Sequence, residues 1–252
     1  MSPPRLFSTV ALRQNTDIVL GSDQARYVGR VLRLRTGDQL TLFDGTGGEF
    51  AATLGIVTKQ QLNLTVGEHF CPDTESPLKI RLVQAISRNE KMDGVVQKAT
   101  ELGVQRISPV LTEFSVIKLG AERAAKRRAH WQRIAQSACE QCTRNTVPAV
   151  DAPQPLSNWF ADNTGADEAQ LILQPGAVAS MTAVALRGDS LTILVGPEGG
   201  FSTAEYEHAR VAGLQAVSMG PRVLRTETAA LAALTIAQAT WGDIRARRQT
   251  VN

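Results

Sequence analysis

Between Gln39 and Val66 apolar and polar residues alternate in three short runs: Gln39-Leu-Thr-Leu-Phe, Glu49-Phe-Ala-Ala-Thr-Leu and Gln61-Leu-Asn-Leu-Thr-Val. A period of two belongs to half-buried strands, and Asp44-Gly45 and Gly47-Gly48 supply hairpin chemistry between the first two runs. Arg30-Val-Leu-Arg-Leu-Arg reads as another strand of the same kind. Together these runs predict a small antiparallel barrel or sandwich. The pattern lapses over Cys71-Pro-Asp-Thr-Glu-Ser-Pro77, a stretch of turn-formers, which marks a linker between a first domain over 1–72 and a second over 77–245.

After Pro77 strands alternate with helices. Lys79-Ile-Arg-Leu-Val-Gln-Ala-Ile is a strand, and Met92, Val95, Val96, Ala99 and Leu102 then fall at helical spacing and stop at Gly103, a suitable residue just past a helix end. Ile107-Ser-Pro-Val-Leu returns as a strand. Trp131, Ile134, Ala135, Ala138, Cys139 and Cys142 line one face of a helix that ends before Pro148. Ala169-Gln-Leu-Ile-Leu-Gln and Leu191-Thr-Ile-Leu-Val are almost continuously apolar, as strands of a parallel sheet covered on both faces must be. The predicted fold is an α/β domain with a parallel sheet, preceded by a small β domain.

A length of 252 residues suits one large or two modest domains, and 43% hydrophobic with 20% charged residues excludes a disordered or collagen-like chain. The amino terminus lacks an apolar leader, and no run reaches the roughly 18 apolar residues of a membrane span, so a cytoplasmic protein is expected. Three cysteines cannot form a paired disulfide framework. Cys139-x-x-Cys142 is half a zinc site without its second pair, and His69, His130 and His208 are scattered, so no metal is expected. The net charge is only +3, but its distribution is uneven. Arg5, Arg13, Arg26, Arg30, Arg33 and Arg35 outnumber Asp17 and Asp23 in the first 35 residues. Arg123, Lys126, Arg127, Arg128 and Arg133 face only Glu122 over 121–134. Such patches attract phosphate backbones, although a solvated helix face is the plainer account of either one alone.

Two loops carry the strongest chemical signal. In Leu191-Thr-Ile-Leu-Val-Gly196-Pro-Glu-Gly-Gly-Phe-Ser202 a buried strand enters a glycine-rich turn, and Ser202 with Glu205 forms a capping box for the next helix. Open α/β sheets bind ligands at such strand ends. The turn lacks the lysine of a nucleoside-triphosphate loop and is not Gly-x-Gly-x-x-Gly. Met219-Gly-Pro-Arg-Val-Leu-Arg-Thr-Glu-Thr-Ala229 is the second loop; Gly220 and Pro221 break a short strand, Thr226 is the expected N-cap, and Arg222, Arg225 and Glu227 precede an Ala-rich helix.

The pair Leu194-Val-Gly-Pro-Glu-Gly-Gly-Phe-Ser202 and Gly220-Pro-Arg-Val-Leu-Arg-Thr-Glu-Thr-Ala229 resembles the signature of the RsmE family, SPOUT-class enzymes that methylate N3 of a uridine in 16S rRNA with S-adenosylmethionine. Arg26-Tyr-Val-Gly-Arg-Val-Leu-Arg-Leu-Arg-Thr-Gly-Asp and Leu42-Phe-Asp-Gly resemble its PUA-like barrel; Lys91-Met-Asp-Gly-Val-Val-Gln-Lys-Ala-Thr-Glu-Leu-Gly-Val, His130-Trp-Gln-Arg-Ile and Glu140-Gln-Cys-Thr-Arg-Asn-Thr-Val-Pro148 resemble successive stretches of its methyltransferase domain. The resemblance implies a trefoil-knotted domain in which the chain from about Leu191 threads a preceding loop, against the general avoidance of threading. It also implies a homodimer and 16S rRNA, within the 30S subunit, as partner.

On the same carry-over, Leu173, Gly196, Glu198, Gly199, Gly200, Met219, Gly220, Val223, Leu224, Arg225, Thr226, Glu227 and Ala229 are the candidate cofactor site. Arg5, Arg26, Arg30, Arg33, Arg88 and Lys91 are candidates for holding RNA. Because the N3 proton of uracil must leave, a general base or a cation stabilising the developing anion is required; Arg144 and Arg225 suit the cation, Glu198 or Glu227 the base. The sequence departs from the family at Phe114, where a basic residue is usual, and in the loop Ile86-Ser-Arg-Asn-Glu-Lys91. A methyltransferase of another RNA such as tRNA would share the loops. A non-catalytic RNA-binding assembly factor would share the barrel and patches only, and a nucleotide hydrolase lacks its phosphate-binding lysine.

Overall fold

The computed structural model describes residues 3–87, 89–115, 120–163 and 168–244. The chain divides into two compact units, one running to Glu75 and including Gln136–Val147, the other taking Ser76–Ala135 and the chain from Pro148 on. The return of 136–147 to the first unit is not visible in the hydrophobic pattern.

The first unit contains β1 (Arg5–Phe7), β2 (Thr16–Leu20), α1 (Ser22–Arg26), a π-helical turn (Tyr27–Leu32), β3 (Gln39–Phe43), β4 (Glu49–Val57) and β5 (Leu62–Phe70). They form a five-stranded sheet in the order β1-β3-β4-β5-β2. All pairs are antiparallel except β1 with β3. The alternation acts as expected: Leu62, Leu64 and Val66 of β5 are buried with Leu40, Leu42 and Leu54. The tight turn after β3 uses left-handed Gly45, Gly47 and Gly48. Arg30–Arg35 is not a strand. Val28 and Leu32, four residues apart, pack on the core, Val31 between them is 65% exposed, and Arg33 ends the turn in the left-handed region at φ 56°. An i,i+4 pair next to an exposed valine is a helical face, which a window of six residues cannot separate from alternation.

Residues 136–147 complete this unit. Glu140 Oε1 accepts the Phe7 N–H at 2.9 Å, and Glu75 accepts the backbone N–H groups of Asn145 and Thr146 at 3.1 and 3.0 Å. The neighbouring Cys142 and burial push the Cys139 thiol far above its ordinary range, so it stays a neutral thiol in the core. Among the described residues no group of histidine, cysteine and carboxylate side chains is placed to hold a metal.

The second unit has β6 (Lys79–Ala85), α2 (Asn89–Glu101), β7 (Arg106–Leu111), α3 (Ala121–Cys142, its last turns from Gln136 counted in the first unit), β8 (Ala149–Val150), β9 (Gln154–Pro155), α4 (Leu156–Asn163), β10 (Ala169–Leu173), β11 (Ser190–Val195), α5 (Thr203–Val211), β12 (Gln215–Val217) and α6 (Thr226–Thr240). The sheet runs β12-β10-β11-β6-β7-β8, with β9 also on β7, and every pair is parallel. Its central strands are buried on both faces: Leu191 to Val195 of β11 and Leu82 to Ala85 of β6 are closed to solvent. Left-handed Gly103 ends α2 as the spacing predicted.

The strand order places the site. From β10 the chain moves inward to β11, then outward past β10 to β12, so the carboxyl ends of these strands open onto one edge, a switch of the kind that makes ligand crevices. Beyond β12, Ser218 donates to Ala179 O at 2.9 Å and accepts from Met181 N at 3.0 Å, which ties the chain to the β10–β11 connection before it enters α6. That helix packs on α2, where Ser76 donates to Gln238 Oε1 at 2.7 Å and Gln238 donates to Leu102 O at 2.9 Å. No helix of the described residues is long and apolar enough to cross a membrane.

Candidate active site

Buried β11 delivers Gly196 to the sheet edge. The turn that follows is closed by Gly200 N–H donating to Pro197 O at 3.0 Å, with Gly200 at φ 73°. Ser202 caps α5 reciprocally: its hydroxyl accepts from Glu205 N at 3.3 Å, and its N–H donates to Glu205 Oε2 at 2.9 Å. The other Glu205 oxygen accepts the Glu113 N–H at 2.9 Å, which fixes the turn holding Phe114. A side chain on Gly199 would come within 3.0 Å of Phe114 Cβ. Phe114 thus covers the glycine turn.

Thr226 is not the N-cap expected of it. Arg225 occupies that position without a side-chain capping bond, and Thr226 is the first helical residue. Its hydroxyl donates to Gly196 O at 2.6 Å and accepts from Gln84 Nε2 at 2.9 Å. One proton cannot serve both, so the short bond to the carbonyl obliges Gln84 to present its amide N–H and leaves its buried Oε1 without a partner among the described residues. Thr226 thereby ties the two signature loops together across the end of β6.

Between the loops lies a cavity of about 430 Å³. Its lining gathers Leu173 from β10, Gly196, Glu198, Gly199 and Gly200 from the first loop, and Met219, Gly220, Val223, Leu224, Arg225, Thr226 and Ala229 from the second. Of the candidate cofactor residues, Glu227 alone does not line it. None of the backbone N–H groups of Met219, Gly220 and Arg222–Arg225 donates to the backbone of another described residue. Sequence reasoning missed Phe201 and Tyr206 in the wall, whose rings meet edge to face at 5.5 Å. Burial, with the Glu205 charge in support, pushes the Tyr206 phenol upward and keeps it neutral. Phe201 lies inside the motif, where its side-chain direction was the only unknown. Gln84 gave no signal, being one polar residue in an apolar strand.

The charged candidates divide. Lys91 reaches Glu198 Oε1 at 3.1 Å and Glu227 Oε2 at 3.4 Å, so it joins the two candidate bases instead of standing open to RNA. Arg225 is exposed at the cavity wall. Arg144 does not line the cavity; it is buried in the first unit, where it bonds Glu75 at 2.8 and 2.9 Å. Arg5 is equally engaged, paired with Glu49, donating to Asn145 Oδ1 at 2.6 Å and stacked over Phe43 at 4.8 Å. A guanidinium so neutralised has little left for a phosphate, which argues against Arg5 as an RNA contact. Arg26, Arg30 and Arg33 are exposed. Arg88 lies outside the described residues.

Residues 74–238 match the family model of the RNA methyltransferase domain, and residues 20–67 match that of the RNA methyltransferase PUA domain. The chain is 33% identical over 241 residues, 96% of its length and 98% of the relative's, to ribosomal RNA small subunit methyltransferase E of Buchnera aphidicola from Schizaphis graminum. The chain belongs to the RsmE family. The Bacillus subtilis RsmE is 31% identical over 219 residues, covering 84% of this chain and 86% of that one. The crystal structure of Neisseria gonorrhoeae RsmE bound to S-adenosyl methionine superposes with a TM-score of 0.89 at 38% identity, covering 96% of this chain and all of that one. The parallel-sheet unit is accordingly a SPOUT-type methyltransferase domain, and the first unit contains its PUA-like companion.

Proposed function

We propose that this RsmE-family chain methylates N3 of a uridine in 16S rRNA, with S-adenosylmethionine held in the cavity between Gly196–Gly200 and Met219–Arg225. One observation carries the reading: two loops from neighbouring strand ends, locked together by Thr226, enclose a cofactor-sized space whose wall holds backbone N–H groups that donate to no backbone carbonyl among the described residues. Glycines admit the ligand to the backbone, Leu173 and Val223 offer apolar surface, and the open amides of the second loop suit an adenine edge. When bound, S-adenosylmethionine supplies an electrophilic methyl group.

The chain's own residues deal with the proton. A neutral imide nitrogen is a poor nucleophile, so charge must develop on the uracil as N3 is alkylated, and Arg225 at the wall stabilises it. Lys91 holds Glu198 and Glu227 beside the cavity, and one of these two carboxylates accepts the N3 proton. The proposal extends to a homodimer acting in the cytoplasm on the 30S subunit, as the resemblance implies.

The test is transfer of labelled methyl from S-adenosylmethionine to 30S subunits from a strain lacking the gene, with nucleoside analysis. The expected product is 3-methyluridine in 16S rRNA. Labelled tRNA in place of it, or no transfer despite cofactor binding by calorimetry, overturns the substrate.

A second expectation concerns Arg144. With its guanidinium held by Glu75, Arg144→Leu removes one partner of a buried pair, a loss of roughly 2–3 kcal/mol because Glu75 is partly exposed. Thermal unfolding should begin earlier while cofactor affinity is unchanged; lost turnover at full stability would restore Arg144 as the catalytic cation.

A further inference from the structure

A second cavity, of about 260 Å³, is lined by Asp93 of α2 and Lys126, Arg127, His130 and Trp131 of α3, and the methyl-transfer reading makes no use of it. Its acid is already engaged. Asp93 Oδ2 lies 2.9 Å from His130 Nε2, and Asp93 Oδ1 accepts from Trp131 Nε1 at 3.0 Å. The indole is itself buried and held beneath the Arg127 guanidinium, 5.9 Å from its ring centroid, so the floor is built and rigid. Among the described residues Lys126 is paired only with Glu122, and both side chains are largely exposed, at 75% and 82%, so solvent screens that pair and a stronger anion can displace it.

The cations also have an order. Arg123, Lys126, Arg127 and His130 fall at i, i+3, i+4 and i+7 and hence on one face of α3, over about 10 Å of helix axis. That is too long for a single small anion and suits a chain of phosphates. We infer that this face of α3 is a phosphodiester-binding site for the RNA substrate, with one phosphate seated between Lys126 and Arg127 over the Asp93–His130–Trp131 floor. The inference rests on the RNA reading above. It assigns to the methyltransferase unit the basic stretch 121–134, separately from the exposed Arg26, Arg30 and Arg33 of the first unit.

The test is binding of a 16S rRNA fragment containing the target uridine, measured by fluorescence anisotropy across a potassium chloride series, to the full chain and to Lys126→Ala/Arg127→Ala. Affinity should fall about tenfold at low salt, and the slope of log affinity against log salt should lose between one and two, since each phosphate contact contributes about 0.7–0.9. Cofactor affinity by calorimetry and turnover at saturating RNA should be retained. Arg123→Ala/Lys126→Ala, which leaves the indole cover in place, should show the same trend if the first variant fails to fold. An unchanged slope in both variants overturns the site. So does saturable binding of inorganic phosphate with no change in RNA affinity, or a shift in oligomeric state that marks the face as an interface between copies. Failure of the wild-type chain to methylate 16S rRNA would instead count against the substrate reading.

Discussion

Arg225→Ala should lower the turnover of methyl transfer by about 10²–10³-fold, the usual effect of removing a donor aimed at developing charge. The reason is position. Arg225 stands at the cavity wall where α6 begins, its backbone extended at φ −64° and ψ 152°, and its guanidinium is exposed. Of the other candidate cations, Arg144 is closed up with Glu75 and Lys91 is shared by two carboxylates; Arg222 also lines this wall, but Arg225 is the one at the start of α6, next to the Thr226 that joins the loops. Arg225→Lys keeps the charge but loses the planar fork, so its turnover should lie between those of wild type and the alanine variant. Single-turnover kinetics with saturating cofactor and calorimetry on the same preparations separate chemistry from binding. Normal single-turnover rates in either variant would remove Arg225 from the mechanism.

Thr226→Val should cost about 1–3 kcal/mol in stability, although the two side chains have the same shape. The substitution takes the partner from Gly196 O and from one amide N–H of Gln84, a residue closed to solvent whose Oε1 already lacks one. At about 2–4 °C per kcal/mol for a chain of this size, the apparent melting temperature should drop by roughly 5 °C. Cofactor affinity should weaken with it, since the same hydroxyl joins the two loops. Thr226→Ser keeps the hydroxyl and should restore most of both quantities. A Thr226→Val protein that melts and binds as wild type would show that the loops are held by packing alone.

Much of this architecture is legible along the chain. The continuous apolar runs of β10 and β11 could only be strands covered on both faces, and Gly103 and the Ser202–Glu205 box mark helix ends by backbone requirements that are local. The same locality explains the failures. Arg30–Arg35 reads as a strand because three or four apolar residues fit two periods at once, and β1, three residues long, is recognisable only beside β3. The glycine loops announced a site by composition, yet Thr226 was placed as a cap because a threonine before a helix satisfies that rule equally well.

The amino-acid sequence by itself determined the two kinds of unit, the α/β alternation and the two loops that line the cavity. These depend on periodicity and on backbone preferences spanning a few residues. Tertiary structure alone decided which charges are available. Arg5 and Arg144 read as open cations until Glu49 and Glu75 neutralise them, Lys91 meets carboxylates more than a hundred residues away, and Gln84 finds Thr226 across the sheet edge. A side chain's charge is written in the sequence, but its partner is set by strand order, and strand order is a property of the whole folded chain.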